Sequence, residues 1–357
     1  MDSLTQAVLG AALQGTVLGR IQGRRSLAYG AALGTLPDLD VLVRYADPVS
    51  QMTFHRGFSH SIFVLTGLAL LLAWLVAKRW PDKGYTATRL FVAFWLVLVT
   101  HPLLDSFTVY GTQLFWPLQV TPQSWAAVFI IDPVYTLPLL LAVLYAALKG
   151  LRGRALAGLS VALAFSTVYL GFGLAGRMAA EQRFDVALAQ QGITASEVRA
   201  VPIAFNTLLW RVLAKTPDGD YYEGISGLFD REPPELLRQP RNLALGKRLD
   251  GDALHDRLRW FTDDWLRYDA VGDALVVTDL RMGIPGHYTF RFQMGQRDAT
   301  GQWVAIQPRG WIGGGAASLF DGDKLSLIWR RIVDQQPPLP LASWAAQLGG
   351  HAAQARP

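Results

Sequence analysis

The chain has 357 residues, of which 51% are hydrophobic and 17% charged, and its mean hydropathy is positive, a balance more apolar than soluble domains show. It contains no cysteine, which excludes disulfides, thiolate zinc sites and cysteine nucleophiles. The net charge of +5 sits largely in short clusters between apolar runs, where topology signals belong, so it does not point to a nucleic-acid partner.

The N-terminal stretch MDSLTQAVLGAALQGTVLGR lacks the basic leader of a secretory signal and reads as a retained helix. A helix needs about 20 apolar residues to cross a bilayer. Phe58 to Ala77, Leu90 to Thr108, Trp125 to Leu148 and Ala155 to Gly176 meet that length. Leu4 to Leu18 and Ser26 to Val43 are shorter and rich in Gly and Ala, as suits tilted or re-entrant segments or helices packed inside a bundle. Residues 1–180 are therefore expected to form an all-α membrane bundle of about six helices.

The loops alternate in charge. Arg20, Arg24 and Arg25, then Lys78, Arg79, Lys83 and Arg89, then Lys149, Arg152 and Arg154 fall on one face, whereas the other carries only Arg44 and Arg56 before the last helix exits. The positive-inside rule makes the first face cytoplasmic. The N-terminus and the second half of the chain then lie outside, in the periplasm if the host has two membranes.

Four polar motifs interrupt the apolar background: Thr35 to Asp40, Phe54 to Ser61, Thr100 to Asp105, and Tyr110 to Pro117. Ionisable residues in or beside membrane spans are costly and usually functional. On the charge-derived topology Asp38 and Asp40 end the second helix, His55 and His60 begin the third, and His101 and Asp105 end the fourth, all at one face. His101 and Asp105 are one helical turn apart, a spacing that suits two ligands of one cation, or a ligand and the carboxylate supporting it. Pro102 is expected to kink or loosen that helix. Asp38 and Asp40 can turn to a common metal only in loop or extended backbone, and Pro37 makes a helix break there.

Imidazole and carboxylate without thiolate suit a divalent metal, Zn²⁺ first, with Mn²⁺ and Mg²⁺ as alternatives. The chemistry expected of such a centre is hydrolytic. Arg56 and Asp105 are the candidate catalytic residues, Arg56 to hold a phosphate or to stabilise developing negative charge; its other reading is an ion pair with an Asp or with headgroups. A Ser59/His60 catalytic pair is discounted because adjacent helical residues do not face each other, which leaves Ser59 as a cap or a support for a ligand. Tyr110 and Trp116 read as an aromatic belt, Asp132 as a buried hydrogen-bonding or supporting group, and Asp2 and Gln6 as the capped start of the first helix.

The segments MDSLTQAVLGAAL, GTLPDLD, FHRGFSHS, THPLLDSFTVYGTQLFWP and IIDPVYTLPLLL together resemble the bacterial membrane-bound metal-dependent hydrolases of the YdjM type. The pattern is also similar to that of zinc-dependent phospholipases C. The resemblance spans roughly residues 1–180 and implies an inner-membrane hydrolase with metal ligation by Asp38, Asp40, His55, His60, His101 and Asp105. Where many relatives carry a His this chain has Gln6, so its first helix offers no imidazole.

Beyond the bundle, residues 181–200 are expected to form a linker helix, 201–335 a small soluble α+β or mainly β domain outside the membrane, and 336–357 a tail. Ala204 to Leu213 and Tyr221 to Phe229 flank Pro217-Asp218-Gly219-Asp220, a hairpin signal; Ala274 to Leu280, His287 to Phe292 and Gln302 to Gln307 are strand-like. His255, His287 and His351 have no companion motif. The function expected is hydrolysis of a phosphoester in a membrane lipid or lipid-linked substrate. An ion-coupled transporter would need polar groups through the depth of the membrane, and a non-catalytic scaffold or regulator would leave the His and Asp side chains far apart.

Overall fold

The computed structural model of the chain describes residues 1–81, 84–311 and 322–346; Lys83 and His351 lie outside them. The chain divides into two compact units: one of Met1–Arg44, Phe54–Leu174 and Ala204–Asn206, the other of Tyr45–Thr53, Ala175–Ile203 and the chain from Thr207 on.

In the first unit, α1 (Ser3–Gln22) starts where the Asp2 carboxylate accepts from the amides of Leu4 and Thr5, and stops at Gly23, whose φ of 59° only glycine takes without cost. Helix α2 (Arg25–Thr35) gives way at Pro37 to a 3-10 turn, Pro37–Leu42, because Pro37 has no amide hydrogen to continue the ladder. Helix α3 (Pro48–Phe54) is short and lies almost wholly in the stretch assigned to the second unit. A 3-10 turn at Phe58–His60 precedes α4 (Ile62–Arg79), which Ser61 caps, so this span begins later than Phe58. Helix α5 (Ala87–Ser106) continues through Pro102.

The expected span from Trp125 requires correction. Residues 125–132 are irregular, and α6 (Pro133–Lys149) begins after Asp132, which caps it, with Pro133 in its first turn. Proline disfavours helix in the residue before it and suits the first helical position, which fixes the boundary there. The non-helical backbone is still satisfied. Trp125 and Ala127 donate to the carbonyls of Ser106 and Phe107 at 2.6 and 2.7 Å, and Thr112 and Gln123 exchange a pair of backbone bonds. Helix α7 runs unbroken over Arg154–Gln190.

Helices α4, α5 and α7 are long and apolar enough to cross a membrane; α6, with 17 residues, is shorter. Half of the spanning window of α5 is buried against 17% for α4, so α5 is the inner helix. Leu70, Trp74 and Leu75 of α4 and Val161, Phe165 and Val168 of α7 point outward, as lipid-facing side chains do. Two apolar clusters hold the unit: Leu18, Leu65, Ala69, Leu90 and Leu98 join α1, α4 and α5, while Val8, Ala12, Leu104, Leu139 and Leu159 join α1, α5, α6 and α7. Helices α1 and α2 pack backbone to backbone at Gly10, Gly30 and Gly34, the close approach that small residues permit.

The second unit is built on two four-stranded antiparallel sheets. One has the order β1 (Glu197–Pro202), β2 (Leu209–Lys215), β3 (Asp220–Gly227), β4 (Leu237–Pro240). The hairpin expected around Asp218-Gly219 is β2–β3, with Lys215 opposite Tyr221. A short α8 (Leu243–Gly246) and α9 (Ala253–Thr262) precede β5 (Leu266–Val271) and β6 (Ala274–Asp279). These strands form the other sheet with β9 (Arg291–Arg297) and β10 (Trp303–Gly310), in the order β10-β9-β6-β5. The stretch His287 to Phe292 is not one strand: His287–Tyr288 is β8, paired with β7 (Gly283–Ile284), and β9 starts at Arg291. Helices α10 (Gly322–Val333) and α11 (Leu341–Ala346) follow.

Three expectations are corrected here. There is no separate linker helix over 181–200, because α7 continues to Gln190 and Glu197 already opens β1. The tail from 336 is packed in its described part, with Leu341 and Trp344 buried beside Ile284 and Ile328. Residues 45–53 belong with the sheets, where Arg257 of α9 donates to the Thr53 hydroxyl at 2.6 Å and to its carbonyl at 3.1 Å.

Candidate metal site

The break at Pro37, the start of α4 and the end of α5 bring one carboxylate, one imidazole and a His/Asp pair to a common point. Asp38, His60, His101 and Asp105 each offer a ligating atom, all within 4.8 Å of one another. The two Nε2 atoms are 3.2 Å apart. His60 Nε2 lies 3.5 Å from Asp38 Oδ1 and 3.3 Å from Asp105 Oδ2, and His101 Nε2 lies 3.3 and 3.5 Å from the same two atoms. Five of the six distances among these atoms are 3.2–3.5 Å and the sixth is within 4.8 Å, a spacing close to that of four ligand atoms around one ion at zinc–nitrogen and zinc–oxygen bond lengths of about 2.0–2.2 Å.

The proton positions follow from the partners on the far side of each ring. His101 Nδ1 is 2.6 Å from the Gly34 carbonyl, which only accepts, so Nδ1 carries a hydrogen and Nε2 is left as the ligating nitrogen. His60 Nδ1 is 2.9 Å from Ser59 Oγ, whose own hydrogen goes to Asp40 Oδ2 at 2.7 Å, so this ring is likewise a donor at Nδ1. Two lone pairs at 3.2 Å have no hydrogen to share. A cation between them, the carboxylates completing its shell, resolves the contact.

The rest of the polar cluster serves these four. Asp105 is fully buried; Gln6 Nε2 donates to its Oδ1 at 3.0 Å, and the amino group of Met1 lies against the same oxygen. Arg56 Nε is 3.2 Å from Oδ2, yet neither atom makes a hydrogen bond. That leaves a buried carboxylate oxygen oriented for another partner, as a metal ligand would be. Arg56 itself sits at a φ of 60°, is 3% exposed, reaches Thr108 Oγ1 at 3.3 Å and lies over the Tyr110 ring. Its guanidinium thus pairs with an Asp inside the site.

Asp40 and His55 stand together beside the four. His55 Nδ1 is 2.8 Å from Asp40 Oδ1, while Asp40 Oδ2 accepts from the Arg56 amide and the Ser59 hydroxyl. Burial works against the Asp40 charge, but its contacts with His55, His60 and Ser59 outweigh it and hold this carboxyl below the usual range. In Asp38 too, burial works against the charge and is outweighed, here by the contacts with His101 and His60, and the carboxyl stays ionised. Of the six expected ligands, then, four converge in one cluster and Asp40 with His55 forms the adjoining pair.

Other expectations meet different outcomes. Ser59 does contact His60, because a 3-10 turn rather than an α-helix carries them, and it joins His60 to Asp40 as a support. Tyr110 is not a belt residue: it is buried, with His55 edge-on to its ring. Trp116 is partly exposed and packs against Phe58. Asp132 caps α6 and accepts from the Tyr169 hydroxyl, and Asp2 caps α1. The Gly34 carbonyl and the Gln6 amide also belong to the site: a backbone acceptor leaves no mark in sequence, and Gln6, which brings no imidazole, supports Asp105 through its side-chain amide.

Apolar helices long enough to cross a bilayer, with buried His and Asp side chains gathered where three elements end, define a membrane protein with a candidate metal site. The chain belongs to the YdjM inner membrane protein family, whose match covers residues 1–180. It is also 27% identical over 139 residues to a protein of Bacillus subtilis (strain 168) named "Uncharacterized protein YfhP", an overlap of 37% of this chain and 41% of that protein's length. No solved structure matches.

Proposed function

We propose that this protein is an integral membrane metal-dependent hydrolase, with zinc as the first candidate ion, acting on a phosphoester of a lipid or lipid-linked substrate at the non-cytoplasmic face. The observation that carries the reading is the pair of His Nε2 atoms, each with its Nδ1 committed as donor, facing two carboxylate oxygens across 3.3–3.5 Å. Asp38, His60, His101 and Asp105 would hold the ion. When bound, such an ion lowers the pKa of water toward about 7 and polarises a scissile bond.

The chain's own residues divide the remaining work. Asp38 is 20% exposed whereas His60, His101 and Asp105 are 0–1%, so substrate approaches on the Asp38 side. His55, 21% exposed and steadied by Asp40, stands at that edge to take or give a proton. Arg56 fixes Asp105 and adds positive charge beside the site, which favours an anionic substrate. Leu39, Val41, Leu42 and Phe58, all more than half exposed, stand close in the chain to Asp38 and His60 and present apolar surface there, which suits a lipid arriving sideways. The basic loops at the other ends of the helices support a non-cytoplasmic site and second unit.

The test is elemental analysis of the purified protein joined to a phosphate-release assay on lipid phosphates in mixed micelles. Stoichiometric metal and release in wild type, both lost in His60→Ala and Asp105→Ala, are expected. Absence of metal, or metal content indifferent to these substitutions, would sink the reading. A reporter fused at the C-terminus tests the orientation separately.

A further inference from the structure

Toward the end of the bundle away from the His/Asp cluster lies a cavity of about 670 Å³ formed by the second half of α1, the length of α2 from Arg25 to Leu33, the end of α4 and the first half of α5. That is within the size range of small-molecule sites, about 300–1,000 Å³. Its walls are apolar, from Leu33, Leu72, Val76 and Phe94, and its mouth carries Tyr29, Trp80 and Tyr85. Rings of this kind favour the level of lipid headgroups.

Gln14, Gln22 and Arg25 break this surface with polar groups. Gln14 is fully buried; its amide nitrogen donates to Gln22 Oε1 at 3.3 Å, and its own Oε1 has no partner. The orphan atom is therefore a carbonyl oxygen, which only a hydrogen-bond donor satisfies. At the rim, Arg25 is exposed and makes no ion pair or hydrogen bond among the described residues. A Cβ on Gly30 would lie 2.5 Å from that of Gln14, so Gln14 sits level with Gly30. Arg25 is five positions earlier on α2, about 7–8 Å along the axis.

We propose that this cavity binds an anionic amphiphile of the monoacyl glycerol phosphate class. Its phosphate pairs with Arg25 at the headgroup level, where a guanidinium fork matches phosphate oxygens. The free glycerol hydroxyl, a few bonds further in, donates to Gln14 Oε1, and the acyl chain runs along Leu33, Val76 and Phe94. The order of charge, then donor, then apolar wall selects this class over a diacyl phospholipid, which has no hydroxyl at that depth. The site stands apart from the His/Asp cluster and does not rest on the hydrolase reading.

The experiment is native mass spectrometry of the full chain ejected from phosphatidylcholine nanodiscs titrated with 1-oleoyl lysophosphatidic acid. Its 2-O-methyl ether and 1-oleoyl glycerol are run in parallel, the first lacking only the donor and the second only the phosphate. Wild type is expected to retain one lysophosphatidic acid, about five-fold more tightly than the oleoyl glycerol, the contribution of one basic residue at a membrane surface. Loss of the hydroxyl donor should weaken binding about three- to ten-fold. Arg25→Gln, at an exposed position, should abolish the preference for phosphate, and Gln14→Met the preference for hydroxyl over methyl ether. Equal retention of all three amphiphiles by wild type, or preferences unchanged in Arg25→Gln, would overturn the proposal and leave the cavity to ordinary bilayer lipid. Should Gln14→Met lower the thermal midpoint, the Arg25→Gln and ether comparisons decide alone.

Discussion

Replacing Gly30 by Ala should damage the candidate metal site from a distance. A Cβ there would stand 2.2 Å from the Gly10 carbonyl oxygen and 2.5 Å from Gln14 Cβ, against an ordinary contact of about 3.5 Å. Helix α2 must therefore retreat from α1 by roughly 1 Å, at a cost of about 1–3 kcal/mol for overpacking, partly offset by the better helix propensity of Ala, about 0.8–1.0 kcal/mol. The retreat carries with it the Gly34 carbonyl, which fixes the His101 ring at 2.6 Å, and Asp38 one turn further on. Removing a partner of this kind typically lowers metal affinity about 10–100-fold. The assay is metal titration followed by elemental analysis, with the thermal midpoint in parallel. Gly67→Ala on α4, where an added Cβ meets nothing within 4 Å, is the control and should leave both unchanged. Wild-type affinity and midpoint in Gly30→Ala would refute the link between the α1–α2 contact and the site.

Three further outcomes are expected. His55→Ala should retain the metal that His60→Ala loses, since His55 faces Asp40 and stands outside the four-atom cluster; elemental analysis of the two variants side by side checks this. Chelation should lower the thermal midpoint of wild type and leave Asp105→Ala unmoved, a ligand at 100 times its Kd being worth about 2.7 kcal/mol to the folded state. In the second unit, His255 is buried between the Leu249 carbonyl and the Tyr268 hydroxyl, and burial pushes its imidazole below the ordinary value of 6.5. As pH falls through 6.5 the unfolded chain takes a proton that the folded one refuses, so stability drops from there down to the folded-state value. Tryptophan-monitored unfolding between pH 7.5 and 5.5 should show that slope in wild type and a shallower one in His255→Gln, pH values chosen to bracket the imidazole range of about 6–7.

Sequence alone was enough for the membrane character of the first half, because a run of about 20 apolar residues has no other stable use. The site motifs are legible too: His and Asp beside spans are costly, and alternating loop charge puts Asp38, Asp40, His55, His60, His101 and Asp105 at one face, of which Asp38, His60, His101 and Asp105 gather in one cluster. The hairpin at Asp218-Gly219 was equally legible, its turn chemistry being local. Helix starts were harder. Hydropathy cannot distinguish Phe58 or Trp125 from a span residue, whereas the caps Ser61 and Asp132 decide where the ladder begins.

The tertiary structure decided how the polar groups share their tasks. Asp38 and Asp40 are two residues apart and chemically identical, yet the 3-10 turn sends one to the His60/His101 pair and the other to His55 and Ser59. Arg56 turns inward to Asp105 because a positive φ at that residue and the Tyr110 ring place it there. Residues 45–53 join the sheets through Arg257, more than 200 positions away. Each outcome depends on backbone direction and on partners remote in the chain, and sequence spacing encodes neither.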